Sequence, residues 1–182
     1  MLEKAFAKLH GCYESLDGGT TSSGMVDLTG GVQQKMKLTD KAVAEKIANG
    51  EFWARLKSEY DRGDLLGVSN KAPEDPPAEE MVAGHHEKQG IMSGHAYGII
   101  GLREAEGHKM VRLRNPWGNK EWDGKWGDED KESWTESMMQ ALNKTNFEND
   151  GCFWMEVCTL SLSLSLSALN CLPSLSLCSP IS

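Results

Sequence analysis

Gly94-His95-Ala96-Tyr97-Gly98-Ile99-Ile100-Gly101-Leu102, followed after a polar interval by Met110-Val111-Arg112-Leu113-Arg114-Asn115-Pro116-Trp117-Gly118, is the stretch whose reading decides the fold. Residues 96–102 and 110–114 are short apolar-rich runs. Residues 103–109 between them are polar with Gly107 inside, which is the pattern of a β-hairpin. A register symmetric about that interval sets Ile99 opposite Val111, Tyr97 opposite Leu113 and His95 opposite Asn115. Side chains alternate along a strand, so these six residues share one face, and directly opposed Cβ atoms lie about 4.5–5.5 Å apart. An imidazole and a carboxamide at that separation can hydrogen-bond.

Such a pair suits a histidine general base whose ring is fixed in tautomer and direction by an amide oxygen, working with a cysteine nucleophile. Asn115 is the candidate orienter and His95 the candidate base. A neutral amide holds the ring without adding a full negative charge, which suits an imidazolium already paired with a thiolate. Trp117, two residues on, is placed to cover the His95–Asn115 bond from water. On spacing alone the simpler reading competes: a single histidine at a strand start is more often structural, and Asn-Pro is a turn signal.

The motifs themselves go further. Gly94-His95-Ala96-Tyr97, then Arg112-Leu113-Arg114-Asn115-Pro116-Trp117-Gly118, Glu121-Trp122 and Gly124-Lys125-Trp126, resemble the calpain family of cysteine endopeptidases. Lys8-Leu9-His10-Gly11-Cys12-Tyr13-Glu14-Ser15-Leu16, Gly18-Gly19-Thr20-Thr21 and Leu28-Thr29-Gly30-Gly31 look like the join between the two halves of that protease core. Asp150-Gly151-Cys152-Phe153-Trp154-Met155 looks like its closing strand. The resemblance covers residues 2–157. It implies an α+β, papain-like half-core: an antiparallel β-sheet with flanking helices.

Composition sets bounds of its own. With 182 residues, 39% hydrophobic and 25% charged, the chain can bury one ordinary core. A net charge of −8 without a basic cluster argues against nucleic acid and anionic membrane as partners. Five cysteines (Cys12, Cys152, Cys158, Cys171, Cys178) in neither CxxC spacing nor disulfide-framework density predict free thiols in an intracellular, cytoplasmic setting.

In chain order, residues 2–14 carry Leu2, Phe6, Leu9 and Tyr13 at helical spacing. Residues 17–31 read as glycine-rich loop and turn with one short strand at 25–28. Together residues 1–31 form the helix and join to a half-core bearing the nucleophile. Residues 32–157 form the half-core bearing His95 and Asn115. Within it Asp40 caps a helix over 41–48, a second helical pattern runs from Phe52 to Tyr60, and 65–69 is a strand. The proline-rich, acidic residues 71–90 read as an exposed loop. A metal site from its His85, His86 and Glu87 with His95 is disfavoured, because adjacent histidines on extended chain point apart.

Trp117, Trp122, Trp126 and Trp134 follow, at least two of them expected in the core. Ser133 is placed to cap a helix to Asn143, and 153–157 is a final strand. Residues 158–182 are a low-complexity Ser/Leu tail expected to be disordered and outside the fold, too diluted by serine and Pro173 for a membrane span.

The resemblance implies a protein or peptide substrate and a cysteine attacking its carbonyl. The family's nucleophile stands in a Gln-Gly-x-Cys-Trp type segment upstream of the part matched here. No such segment occurs in residues 1–182, and Cys12 and Cys152 stand in the wrong motifs. The chain is therefore expected to be inactive alone, with a cysteine-bearing half-core expected before Met1. The resemblance also implies calcium, held by Glu121, Asp128 and Asp150 with a backbone carbonyl from Glu148. Cys152 takes the place of a further carboxylate, so binding is expected to be weak. Two function classes follow: the histidine-bearing half of a calcium-dependent cysteine endopeptidase, or a non-catalytic calpain-like interaction module.

Overall fold

A computed structural model describes residues 1–70, 87–160 and 165–170. The hairpin forms its centre, as β5 (Ala96–Ala105) and β6 (His108–Arg114), but its strands are longer and its turn tighter than the polar interval suggested. Ala105 pairs with His108 across the two-residue turn Glu106-Gly107, both with positive φ, 50° and 83°. That is the mirror-image turn geometry that matches the twist of paired strands. Arg103, Glu104 and Lys109 thus belong to the ladder.

The register differs accordingly. Ile99 faces Leu113 and Leu102 faces Val111, with an irregularity between Ile99 and Gly101 that leaves Ile100 as a bulge. The bulge carbonyl is satisfied by the Tyr60 hydroxyl at 3.1 Å. At the open end the slip from the symmetric register is two residues, an even number, so each side chain keeps its face. His95 and Asn115 therefore stay on one side of the sheet, related diagonally rather than directly.

Around the hairpin an antiparallel sheet is ordered β1-β8-β2-β5-β6-β7, with β1 (Val32–Lys37), β2 (Leu65–Ser69), β7 (Cys152–Glu156) and β8 (Ser165–Asn170). A two-stranded ribbon, β3 (Glu87–Lys88) and β4 (Ile91–Met92), stands apart from it. Alternation along β6 and β7 divides the core. Val111, Leu113, Phe153 and Met155 pack with Val43, Phe52, Trp53 and Leu56 of α3 (Lys41–Ala48) and α4 (Glu51–Asp61). Met110 and Trp154 face the other way, against Trp126, Trp134 and Met138 and Leu142 of α5 (Glu136–Leu142). This is an α+β, papain-like arrangement. Trp122, Trp126 and Trp134 are buried, and Trp117 is exposed.

Three expectations are corrected. Residues 21–29 form a helix, α2 (Thr21–Thr29), following α1 (Leu2–His10), instead of loop and strand. The Thr20 hydroxyl accepts from the Ser23 amide and Gly30 closes the end in the left-handed region, so caps outweigh a poor helix composition. α2 also lies against β2 at Gly67, where a Cβ would stand 2.9 Å from Thr21 Cγ2. Thr135, not Ser133, caps α5, its hydroxyl accepting from the Met138 amide at 3.1 Å. Finally, part of the tail joins the sheet: β8 pairs with β1 on one side and β2 on the other. Its Leu/Ser alternation is a strand pattern, and the ladder partners on both sides supply what no local turn could. The expectation of a disordered tail is thereby corrected for 165–170, while 161–164 and 171–182 lie outside the described residues, as do His85 and His86.

Because β8 is an interior strand, deleting residues 161–182 leaves β1 and β2 without their shared partner. The expected result is a loss of roughly 2–4 kcal/mol, read by chemical denaturation of the full and shortened chains.

Candidate active site

His95 stands immediately before β5, its carbonyl accepting from the Asn70 amide at 3.0 Å. Asn115 stands immediately after β6, its amide donating to the Gly151 carbonyl at 2.7 Å. The two side chains meet with His95 Nε2 2.8 Å from Asn115 Oδ1. Asn115 is fully buried, and its amide has no freedom to turn over. Nδ2 donates to the carbonyls of Asn119 at 2.7 Å and Lys120 at 3.0 Å, and Oδ1 also accepts from the Trp117 amide at 3.0 Å. Two acceptors on one side and a donor on the other fix which end is oxygen. The imidazole nitrogen facing Oδ1 must then carry the proton, so neutral His95 is the Nε2–H tautomer with its lone pair on Nδ1.

Aromatic neighbours set the ring plane. Tyr97 meets His95 edge-on at 5.0 Å between centroids, and its own hydroxyl accepts from the Met92 amide at 2.9 Å. Trp117 packs beside it in a tilted contact, 4.3 Å between centroids, and remains 46% exposed, covering part of the ring while leaving it reachable. Tyr97 as a support for the ring was not singled out in the sequence, although its place two residues after His95 on the same face carried the signal.

Over residues 1–164 the sequence matches the family model described as calpain family cysteine protease. The chain belongs to the calpain family. It is 40% identical over 156 residues to the calpain-type cysteine protease ADL1 of rice (Oryza sativa subsp. japonica), covering 85% of this chain and 7% of that protein. It is 36% identical to mouse calpain-5 (85% of this chain, 26% of that protein) and 35% identical to the human calpain-2 catalytic subunit (85% and 21%). The chain thus spans about a quarter or less of these calpains.

The cysteines of this calpain-family chain are placed as follows. Cys12 is exposed beyond α1, with Sγ 3.1 Å from Ser15 Oγ. Cys152 is buried at the start of β7, 3.7 Å from Arg114 Nη1, and burial together with nearby Asp150 raises its thiol pKa, the opposite of nucleophile activation. Cys158 is exposed, and burial of its sulfur followed by the charge of Glu156 raises its pKa too. Cys171 and Cys178 lie outside the described residues.

Of the residues expected to hold calcium, Glu121, Glu148 and Asp150 are bonded at or next to Gly151. Glu121 Oε1 accepts from the Gly151 amide at 2.7 Å, Asp150 Oδ1 accepts from the Cys152 amide at 2.8 Å, and the Glu148 carbonyl accepts from the Asp150 amide at 2.8 Å. Glu121 and Asp128 both titrate above the ordinary carboxylate range. Burial is the main cause for each, with the other carboxylates adding to it. Asp128 and Asp150 both act on Glu121, and Asp150 on Asp128, so the three carboxylates lie within electrostatic reach of one another.

Their arrangement does not fit a calcium ion, which takes about six to eight oxygens. Both Asp128 oxygens are held by the Lys144 ammonium, at 2.6 and 2.8 Å. Glu121 and Asp150 each already spend an oxygen on a backbone N–H, and Cys152 contributes sulfur where a further carboxylate was expected. Among the described residues, no three histidine, cysteine or carboxylate side chains are grouped to hold a metal ion. Lys144 was not singled out in the sequence: a lysine sixteen residues beyond its partner carries no local signal.

This acidic cluster is nevertheless tied to the His95–Asn115 pair. Gly151 donates to Glu121 and accepts from Asn115. It must be glycine, since its φ is +82° and a Cβ there would stand 2.9 Å from both the Asn115 carbonyl oxygen and Gly118 Cα.

Proposed function

We propose that this chain supplies the general base and its orienting amide to a calpain-type cysteine endopeptidase, acting on protein or peptide substrates in an intracellular setting. The observation that supports the reading best is the locked amide of Asn115, which leaves the Nδ1 lone pair of His95 as the free end of the ring. A cysteine presented to Nδ1 would give up its proton there, attack the peptide carbonyl as thiolate, and see that proton returned to the leaving amine. Asn115 keeps the ring aimed as its charge changes, and Trp117 and Tyr97 hold its plane.

The nucleophile in this reading comes from a cysteine-bearing half-core: burial raises the Cys152 thiol pKa, and the Cys12 sulfur is beside Ser15 on the exposed stretch beyond α1. Family membership suggests calcium dependence, but the cluster at Glu121, Asp128 and Asp150, with both Asp128 oxygens on Lys144, does not fit the ion. Among the described residues no helix is long and apolar enough to cross a membrane.

The test is reconstitution. The chain alone is expected to cleave no peptide, and fusing a cysteine-bearing calpain half-core before Met1 is expected to give cleavage blocked by thiol reagents. Cleavage by the isolated chain would contradict this assignment of roles, with Cys12 the first suspect. A folded fusion that cleaves nothing would favour the non-catalytic interaction module instead.

A further inference from the structure

Lys144 is held in a way that a surface lysine is not. Its side chain is 6% exposed and that of Asp128 is 11% exposed. The ammonium faces two aromatic rings, 5.0 Å from the centre of Phe147 and 5.9 Å from that of Trp134, besides the two carboxylate oxygens. Carboxylate plus aromatic faces is a cage for a cation. The backbone delivers the lysine there: α5 ends at Asn143 in the left-handed region, and the Lys144 amide returns to the Met139 carbonyl at 2.9 Å.

The chain segments joined by this contact matter. Glu121 and Asp128 belong to the segment that follows Asn115, whereas Lys144, Glu148, Asp150 and Gly151 belong to the one that leads into β7. An ion bound between Glu121 and Asp128 on one side and Glu148 and Asp150 on the other would clamp these two segments together. The Asp128–Lys144 pair clamps the same two segments with a charge carried by the chain itself, and the Glu121–Gly151–Asn115 bonds run beside it. Three neighbouring carboxylates need a counter-charge in a partly buried place, and Lys144 provides it.

We propose that the Lys144 ammonium is the resident cation of this half-core, taking at Asp128 the place of a calcium ion and making the segments that hold Asn115 independent of calcium. The consequence for His95 and Asn115 rests on the protease reading above. The occupation of the cation's place does not. A cavity of about 180 Å³ whose lining includes Glu121, Trp122, Asp128 and Phe147 borders two of the carboxylates and one of the rings that face the ammonium.

The experiment compares melting temperatures of the full chain and its variants in chelator and in millimolar calcium, a readout independent of proteolysis. The wild-type Tm is expected to stay level. Lys144→Met, and Lys144→Gln, which retains a donor for Asp128, are expected to melt lower in chelator. Calcium at a tenfold excess over its Kd should then raise their Tm by ~3–6 °C. Adding Asp128→Asn to either variant is expected to abolish that gain. A saturable rise for the wild type would overturn the proposal, because the ion would then bind with Lys144 in place. No rise in both lysine variants, or a rise that survives Asp128→Asn, would overturn it as well. A fusion that fails to cleave peptides leaves all these outcomes readable.

Discussion

Replacing His95 with alanine, in the enzyme reconstituted with a cysteine-bearing half-core, is expected to lower kcat by roughly 10⁴–10⁶-fold. The imidazole does two jobs that no neighbour can take over: it accepts the thiol proton and returns it to the leaving group. Tyr97 has its hydroxyl engaged with the Met92 amide, and Trp117 offers only an indole N–H donor. Stability should change little, because His95 is half-buried and its Nε2 bond is one of several at Asn115. Steady-state kinetics of the two fusions, with thermal melts as control for folding, gives the answer. A loss of less than about tenfold would show that His95 is not the base.

Asn115→Ala is expected to act differently, on activity and on stability together. It leaves the ring free to rotate and to exchange tautomers, at a cost of roughly 10²–10³-fold in kcat, less than removal of the base itself. It also strips partners from the carbonyls of Asn119 and Lys120 and from the Trp117 amide, groups gathered round a side chain with no exposed surface. Leaving buried polar groups unsatisfied in this way costs about 2–3 kcal/mol. The signature of an orienting residue is therefore a moderate kinetic loss joined to a large stability loss, opposite in balance to His95→Ala. Parallel kinetics and urea titrations distinguish them.

The same contrast shows what could be read from the chain and what could not. That His95 and Asn115 share a face followed from strand alternation, and it survived a mistaken register because the slip at the open end was by two residues. The turn at Glu106-Gly107 and the bulge at Ile100 were harder. A glutamate at positive φ is not written in its neighbours, and the bulge depends on Tyr60, forty residues away. α3, α4, β2 and β7 were legible from periodicity and composition, although Asp40 sits at the N-cap of α3 without a side-chain capping hydrogen bond, whereas α2 was masked by its Ser, Thr and Gly content despite the caps at Thr20 and Gly30. β8 and Lys144 depend on partners remote in sequence, a strand on either side for one and Asp128 with two rings for the other. β8 carries a period-2 trace at Ser165-Leu166-Ser167, but nothing in the local sequence marks its strand partners, or Asp128 as the partner of Lys144.

The arrangement of Asn115 also explains why Gly151 matters at a distance from any substrate. Its carbonyl accepts from the Asn115 amide and its own amide donates to Glu121, so hydrogen bonds through one residue tie the orienting amide, Glu121 of the acidic cluster and the start of β7 together. A base aimed in this way is preorganised before any nucleophile arrives, which is the condition for efficient proton transfer.

The tautomer of His95 tests that condition most directly, and it needs only the chain itself. In ¹⁵N-labelled protein, long-range correlations between ring protons and ring nitrogens assign the proton of the neutral imidazole to one nitrogen or the other. The account predicts a protonated Nε2 and a bare Nδ1 in the wild type, and mixed tautomers in Asn115→Ala. A wild-type His95 protonated at Nδ1, or exchanging freely between the two forms, would contradict it.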